Sequence, residues 1–212
     1  MNSLIFLGRA WLVAAALLLA GSAQSQSLSF DRVLACASGD GPNGWGPTAQ
    51  AFDGQGNCYV AGRFNGTILL GSTLLTATQT PANRTRPVDT FLAKLDAAGN
   101  YVWALQFGDN QASDVNDLAV DGAGNLYVAG SFESYGLRLG GSAPVVYNSS
   151  VFSEAFVAQF SAATGQLRWA RRAGGTRNDY ATRLALNAAG EVYLLCEARS
   201  PMVDFGSTTL TN

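Results

Sequence analysis

The chain has 212 residues, 48% hydrophobic and 13% charged, with 24 glycines and a net charge of −2. This low, slightly acidic charge carries no basic stripe and argues against nucleic-acid binding, which leans on clustered Lys and Arg facing phosphate. There is no histidine, which removes Ser-His-Asp and Cys-His catalysis, His-containing zinc sites and His-based pH switching.

Residues 1–23 read as a secretory signal peptide. Arg9 supplies the positive charge, and Ala10–Ala20 is an unbroken apolar stretch too short for a comfortable membrane span. Gly21-Ser22-Ala23 offers the small residues that a signal peptidase needs. Leu19-Ala20-Gly21-Ser22 resembles a bacterial lipoprotein box, but Ser22 stands where the lipid-accepting Cys must be. The alternative is an N-terminal membrane anchor. The expected location is therefore secreted, extracellular or cell-surface, with the periplasm as the other compartment, and no stable membrane span after cleavage.

The mature chain repeats itself. Phe30–Gly39 aligns with Tyr101–Gly108 and with Leu167–Gly174, and the closing glycines lie at 39, 108 and 174. A second phrase, Ala51-Phe-Asp53-Gly-Gln-Gly-Asn57-Cys-Tyr-Val-Ala-Gly62-Arg-Phe64, returns as Ala119–Phe132 and, eroded, as Leu184–Leu194. It reads as two short strands around a turn, because Asp bonds the local backbone and Gly accepts positive φ. A third phrase, Asp89–Asp96, matches Glu154–Ser161, and each copy is followed by a Gly turn. Alternation in it puts Phe91, Ala93 and Leu95 on one face and Thr90, Leu92 and Lys94 on the other.

Each unit therefore holds four strands. In the best copy these are Asp117–Asp121, Leu126–Phe132, Ala155–Ser161 and Gln166–Arg172, with a Gly-rich insertion between the second and third. The first insertion, with its pattern Gly66-Thr-Ile-Leu-Leu-Gly71-Ser-Thr-Leu-Leu75, could add a small hairpin. Tandem four-stranded units are the signature of β-propeller blades. The expected class is all-β, with propeller-type repeats that are incomplete: about two full blades plus partial ones. After the signal peptide, residues 24–212 divide into a partial unit at about 24–47, units at 48–114 and 115–180, and a partial unit at 181–212. The last stretch, Phe205–Asn212, matches Leu70–Ala77, so the sequence stops inside a blade. The expectation is a truncated product, a fragment, or a piece that self-associates through open blade edges.

At these phrases the chain resembles the SBBP (seven-bladed β-propeller) repeat proteins of bacterial surfaces. The features that carry the likeness are Asp-x-x-Gly-Asn-x-Tyr-Val-Ala-Gly-x-Phe, then Leu70-Gly71 and Phe205-Gly206, then Asp/Glu-x-Phe-Val-Ala-Lys-Leu-Asp, then Tyr-Val-Trp-Ala and a closing Gly. The resemblance covers nearly all of residues 30–212 and implies long secreted proteins, often from the Bacteroidetes group, with binding or adhesion as the expected role. A weaker likeness is to quinoprotein-type propellers, carried by Phe156–Trp169. It is read as shared blade packing and not as a quinone site.

Several residues admit a sharper reading beside a blander one. The Asp-x-x-Gly-Asn turns at Asp53, Asp96 and Asp121 could be calcium loops, but the alternating acids and distal Glu of such loops are missing, so hairpin turns are favoured. Trp103, Trp169, Phe64, Phe91, Phe132 and Phe156 could stack on sugars, yet their recurrence in register favours inter-blade core. Cys36, Cys58 and Cys196 form neither a disulfide framework nor a metal pattern. They read as small packed side chains, with a Cys58–Cys196 bridge as the alternative. Trp45, in a Gly-rich loop, is a candidate ligand contact. So are Asp40, Asp109, Asp114 and Asp179, which with Asp117 cluster near inter-blade loops and are otherwise solvated or backbone-capping carboxylates. Paired carboxylates can run glycoside chemistry.

The expected function is a secreted or cell-surface binding module with no catalysis, no cofactor and no metal. A glycan or a surface protein is the expected partner, met by loops on one face, the insertions 66–87 and 134–151 included. The opposed reading is a fragment of a propeller enzyme that acts on polysaccharide or uses a quinone.

Overall fold

The repeated phrases fold as antiparallel strands because their side chains alternate and their turns supply the Asp and Gly that tight reversals need. The computed structural model describes residues 11–14, 33–36, 46–77, 88–107, 113–133, 136–141 and 152–211. Strands β1 (Trp11–Ala14) and β2 (Val33–Cys36) pair with each other. β1 lies within the stretch read as a signal peptide, and β2 within the phrase matched to the last strand of a unit.

The first complete sheet comprises β3 (Pro47–Phe52), β4 (Cys58–Asn65), β7 (Val88–Leu95) and β8 (Tyr101–Phe107), in that spatial order. The hairpin of β5 (Thr67–Leu70) and β6 (Thr73–Thr76) is inserted between its second and third strands. The second sheet repeats the plan with β9 (Ser113–Val120), β10 (Asn125–Phe132), β11 (Glu154–Ser161) and β12 (Leu167–Ala173). A third unit contributes β13 (Asp179–Leu186) paired with β14 (Val192–Ala198), then the hairpin of β15 (Met202–Asp204) and β16 (Thr209–Thr211). The architecture is all-β, with propeller-type four-stranded units in tandem. No helix among the described residues is long and apolar enough to cross a membrane.

The expected strands are present, but each first strand begins earlier than the apolar run suggested. Ser113-Asp-Val-Asn116 reads as loop because it is polar. It stays paired with Gly130–Phe132 because a β-bulge at Asn116 absorbs one residue and lets the ladder continue. The units therefore begin at Pro47, Ser113 and Asp179, one or two residues ahead of the expected boundaries.

The core lies between sheets. Tyr59, Ala61 and Leu92 of the first sheet meet Leu118, Leu126, Val128, Phe156 and Phe160 of the second in one cluster. Tyr127, Ala129 and Ala155 of the second sheet meet Ala181, Leu184 and Val203 of the third unit in another. The predicted faces of β7 hold: Phe91, Ala93 and Leu95 enter one cluster and Leu92 the opposite one. The aromatic residues are core. Phe64, Phe91, Phe132 and Phe156 are buried. Trp103 packs 6.2 Å from the Tyr59 ring, and Trp169 packs 6.3 Å from the Tyr127 ring.

The insertions act as wedges. Ile68, Leu70 and Leu75 of the β5–β6 hairpin are buried against the first sheet. Leu137 and Leu139 of the second insertion are buried between the first two sheets, with Leu139 bridged to Phe107. Val203 of the third insertion does the same between the second sheet and the third unit. The described parts of these insertions thus pack one face against the sheets, while Leu69 and Leu74 of the first hairpin stay exposed.

Candidate functional site

The first strands β3, β9 and β13 lie next to one another, and each carries a bulge at the same repeat position: Thr48, Asn116 and Thr182. A bulge re-aims its extra side chain out of the ladder. The Thr48 hydroxyl donates to the Val115 carbonyl of the next unit at 2.7 Å, and the Asn116 amide donates to the Ala181 carbonyl at 2.8 Å. In the first and second units one short polar side chain thus clips the first strand to the following one. Asp117, beside the second bulge, adds a further link: its Oδ2 accepts from the Leu184 N–H at 2.8 Å, while Oδ1 accepts from the Leu118 N–H.

These clips frame a groove of about 400 Å³ lined by Pro47, Thr48, Ala49, Gln50, Asn116, Asp117 and Arg183. Three successive units contribute to it. The Gln50 Oε1 atom is buried and has no hydrogen-bond partner among the described residues. A buried acceptor left unpaired costs roughly 1–3 kcal/mol, so a donor arriving there is favoured. Arg183 is exposed on the other side of the groove, with one Nη donating to the Thr182 carbonyl. The lining mixes donors, one unpaired acceptor and small apolar surface. Its single carboxylate, Asp117, already accepts backbone hydrogen bonds on both oxygens. This chemistry suits recognition of a polar ligand better than proton transfer.

Of the acids clustered in the sequence reading, Asp117 lines the groove and Asp114 and Asp179 do not. Trp45, Asp40 and Asp109 lie outside the described residues. Asp114 sits at the start of β9 and forms an ion pair with Arg63 of β4. Asp179 at the start of β13 is buried, and its carboxylate accepts from the Arg199 and Ser200 N–H groups and the Ser200 hydroxyl at 2.6–3.0 Å. The two acids are one position apart in the repeat frame: Asp179 corresponds to Ser113, and Asp114 to Tyr180. One step along a strand turns a side chain to the opposite face, so Asp114 reaches Arg63 of the preceding unit while Asp179 caps its own, and they form no pair. Asp179 is a backbone cap, the blander of its two readings.

The Asp turns are equally committed. In each of Asp53, Asp96 and Asp121, Oδ1 accepts from the N–H groups two and four residues on, and Oδ2 accepts from the Asn side chain four residues on. Tyr59 and Tyr127 hydroxyls add a bond to Asp53 and Asp121. Burial pushes the Asp53 and Asp121 carboxyls up, but these hydrogen bonds outweigh it and hold both below the usual carboxylate range. The exposed Asp96 is held low chiefly by its bond from Asn100. The glycine before each Asn has φ between 78° and 91°, a left-handed conformation that Gly accepts without strain. Among the described residues, no group of three His, Cys, Asp or Glu side chains is placed to hold a metal ion. Cys58 and Cys196 are free thiols, so the bridge weighed for them is not formed. Burial pushes the Cys196 thiol pKa up, which leaves it a poor nucleophile.

The groove residues Thr48, Gln50, Asn116 and Arg183 were not singled out by sequence reasoning. A signal existed for the clips, since Thr48, Asn116 and Thr182 recur at one repeat position with short polar side chains. For Gln50 and Arg183 none did, because their counterparts Leu118, Leu184, Ala49 and Asp117 are of other types.

Comparison with known proteins agrees with the repeat. Residues 102–131 match the SBBP family, a beta-propeller repeat. That stretch runs from β8 across the junction into β10. Over 114 residues the chain is 32% identical to the Regulatory protein FlaEY of Caulobacter vibrioides (strain ATCC 19089 / CIP 103742 / CB 15), a match that covers 54% of this chain and 12% of that protein. The chain thus spans only a small part of that relative's length. It carries an SBBP beta-propeller repeat.

Proposed function

We propose that this chain is a binding module, secreted or displayed at the cell surface, which takes a segment of glycan into the groove between its first strands and carries out no chemistry on it. One observation carries the reading: three successive units converge on a groove with a buried, unpaired acceptor at Gln50 and an exposed guanidinium at Arg183. A hydroxyl-rich chain supplies a donor for the first and acceptors for the second. The absence of histidine and the engagement of both Asp117 oxygens by backbone N–H groups favour binding over catalysis. Arg9, the apolar run Ala10–Ala20 and the small residues Gly21–Ala23 support export. On this reading the relative's printed role, regulation, would be served through recognition.

The test is a glycan array probed with the purified chain, followed by calorimetry on the glycans that bind. Gln50→Leu and Arg183→Ala should each weaken binding by about tenfold, the effect of losing one good polar contact. Glycan binding that both variants leave intact would move the site away from the groove. Failure to bind any glycan, alongside capture by a surface protein, would replace the ligand class. Mass spectrometry of the exported chain should find an N-terminus just after Ala23, and an uncleaved, membrane-held chain would contradict secretion.

A further inference from the structure

The groove between the first strands holds acceptors and donors in unequal supply. Its two charged side chains, Asp117 and Arg183, balance each other, so net charge alone selects neither a cationic nor an anionic ligand. Hydrogen-bonding capacity does select. The Thr48 hydroxyl has one hydrogen, directed at the Val115 carbonyl at 2.7 Å with the Ala61 carbonyl at 3.4 Å, so its oxygen is left only to accept. The Asn116 amide donates to the Ala181 carbonyl, and no donor among the described residues reaches its oxygen. The Gln50 Oε1 atom is buried and unpaired. Each Asp117 oxygen accepts one backbone N–H, at 3.0 and 2.8 Å, whereas a carboxylate has room for about four such bonds.

Thr48, Gln50, Asn116 and Asp117 thus keep more spare acceptors than spare donors, and one of them is ionised. Asp117 is half-buried, so salt screens its attraction for a cation less than it does at an exposed acid. A hydroxyl meets such a lining with neutral bonds. A protonated amine meets it with three donors and a positive charge, and its bond to a carboxylate is roughly twice as strong as a neutral one. An N-acetyl group in the same place brings a methyl that makes no hydrogen bond and a carbonyl that adds one more acceptor.

We propose that the glycan taken into this groove is an amino sugar chain with free amines, a glucosamine-type polymer. The ammonium pairs with the Asp117 carboxylate, a hydroxyl of the chain donates to Gln50 Oε1, and Arg183 donates to hydroxyl or ring oxygens. The inference rests on the glycan reading of the groove and narrows it to one class of sugar.

Calorimetry with two oligomers of equal length, one of glucosamine and one of N-acetylglucosamine, tests it on the purified full chain. The free-amine oligomer should bind at least ~10-fold more tightly, the size of one charge-assisted bond over a neutral one. Asp117→Asn should abolish most of that preference. Glu197→Gln removes the same charge from an exposed site outside the groove and should leave the preference unchanged. Arg183→Ala should weaken both oligomers and keep the preference. Should Asp117→Asn fail to fold, the parent chain still decides, because equal affinity for the two oligomers, or tighter binding of the acetylated one, overturns the inference. A preference for the free amine that Glu197→Gln lowers as much as Asp117→Asn also overturns it, since the attraction would then be general to the acidic chain. Other glycans that bind in the groove while the glucosamine oligomer does not would sink this inference and leave the glycan reading standing. Loss of that reading shows itself separately, as glycan binding indifferent to Gln50→Leu and Arg183→Ala.

Discussion

The second unit and the third begin from the same phrase and reach different environments. β9–β10 and β13–β14 share the hairpin, the register and the bulge. Yet β10 is buried from Leu126 to Phe132, and β14 alternates between half-buried and exposed. The clips show the same contrast. Thr48 donates both to Ala61 of its own hairpin at 3.4 Å and to Val115 of the next unit at 2.7 Å, whereas Thr182 donates to Leu195, the counterpart of Ala61, at 3.1 Å. The phrase thus encodes the hairpin, and the neighbouring unit supplies the burial. Stability in such a chain is a sum of unit and nearest-neighbour interface contributions.

The comparison is broken most severely at Gly130. A Cβ there would run into the Asp114 carbonyl and the Phe156 ring, so neither backbone nor side chain can yield cheaply. Gly130→Ala should cost about 3 kcal/mol, at the upper end for overpacking, and should shift the urea midpoint of the second unit far below that of the parent. Ordinary stability in this variant would mean that the bulge at Asn116 relaxes, and that glycine is not required by the close approach.

Next in size are matched deletions at one repeat position. Leu126 is fully buried, whereas Val192 is partly buried. Leu126→Ala should cost roughly 2–5 kcal/mol as a core cavity, and Val192→Ala about 1 kcal/mol or less. Equal losses in urea denaturation would show that the third unit is as well covered as the second.

Smaller still are the clips. Asn116→Ala leaves the Ala181 carbonyl without its side-chain donor and should cost about 1 kcal/mol. Thr182→Ala removes only a bond within its own hairpin and should stay within about 0.5 kcal/mol. Should the two variants prove alike, the bonds between units would carry no more than those within them.

Much of this architecture was legible in the sequence. The turns announced themselves through Asp-x-x-Gly-Asn, the strands through period-2 alternation in Phe91–Leu95, and the unit count through the spacing of Gly39, Gly108 and Gly174. Local chemistry writes such features directly. The groove was not legible, because its residues come from three units and Gln50 differs in type from its counterparts Leu118 and Leu184. Asp114 and Asp179 looked alike as acids near a junction, yet a single-residue offset sends them to opposite faces, one to Arg63 and the other under Ser200. The bulges were hidden for a related reason: a bulge is a property of two strands together, and the polar residues at Asn116 and Thr48 gave no apolar signal.

The turns give the finest test, because the fourth copy reverses the polarity of the others. At Asn187 the side-chain oxygen accepts from the Ala189 and Glu191 N–H groups, as Asp121 does from Ala123 and Asn125, while the amide donates to the Glu191 carboxylate. The carboxylate has moved from the first position to the last and the hydrogen bonds are kept. What looks like erosion in the sequence is a compensated exchange. The carboxyls of Asp53, Asp96 and Asp121 sit below their ordinary values in the folded chain. Their stabilisation is therefore complete above the unfolded carboxylate pKa of about 4 and is lost as pH falls through the lower folded values. The double replacement Asn187→Asp with Glu191→Asn makes the fourth turn a copy of the other three. It should change stability at pH 7 by no more than about 0.5 kcal/mol. Below about pH 4 it should steepen the acid loss, because the carboxylate then stands at the turn position where hydrogen bonds hold Asp53, Asp96 and Asp121 low. Urea midpoints taken from pH 7 to pH 2.5 measure both effects. An unchanged acid limb would show that the acid sensitivity of this chain arises outside the turns.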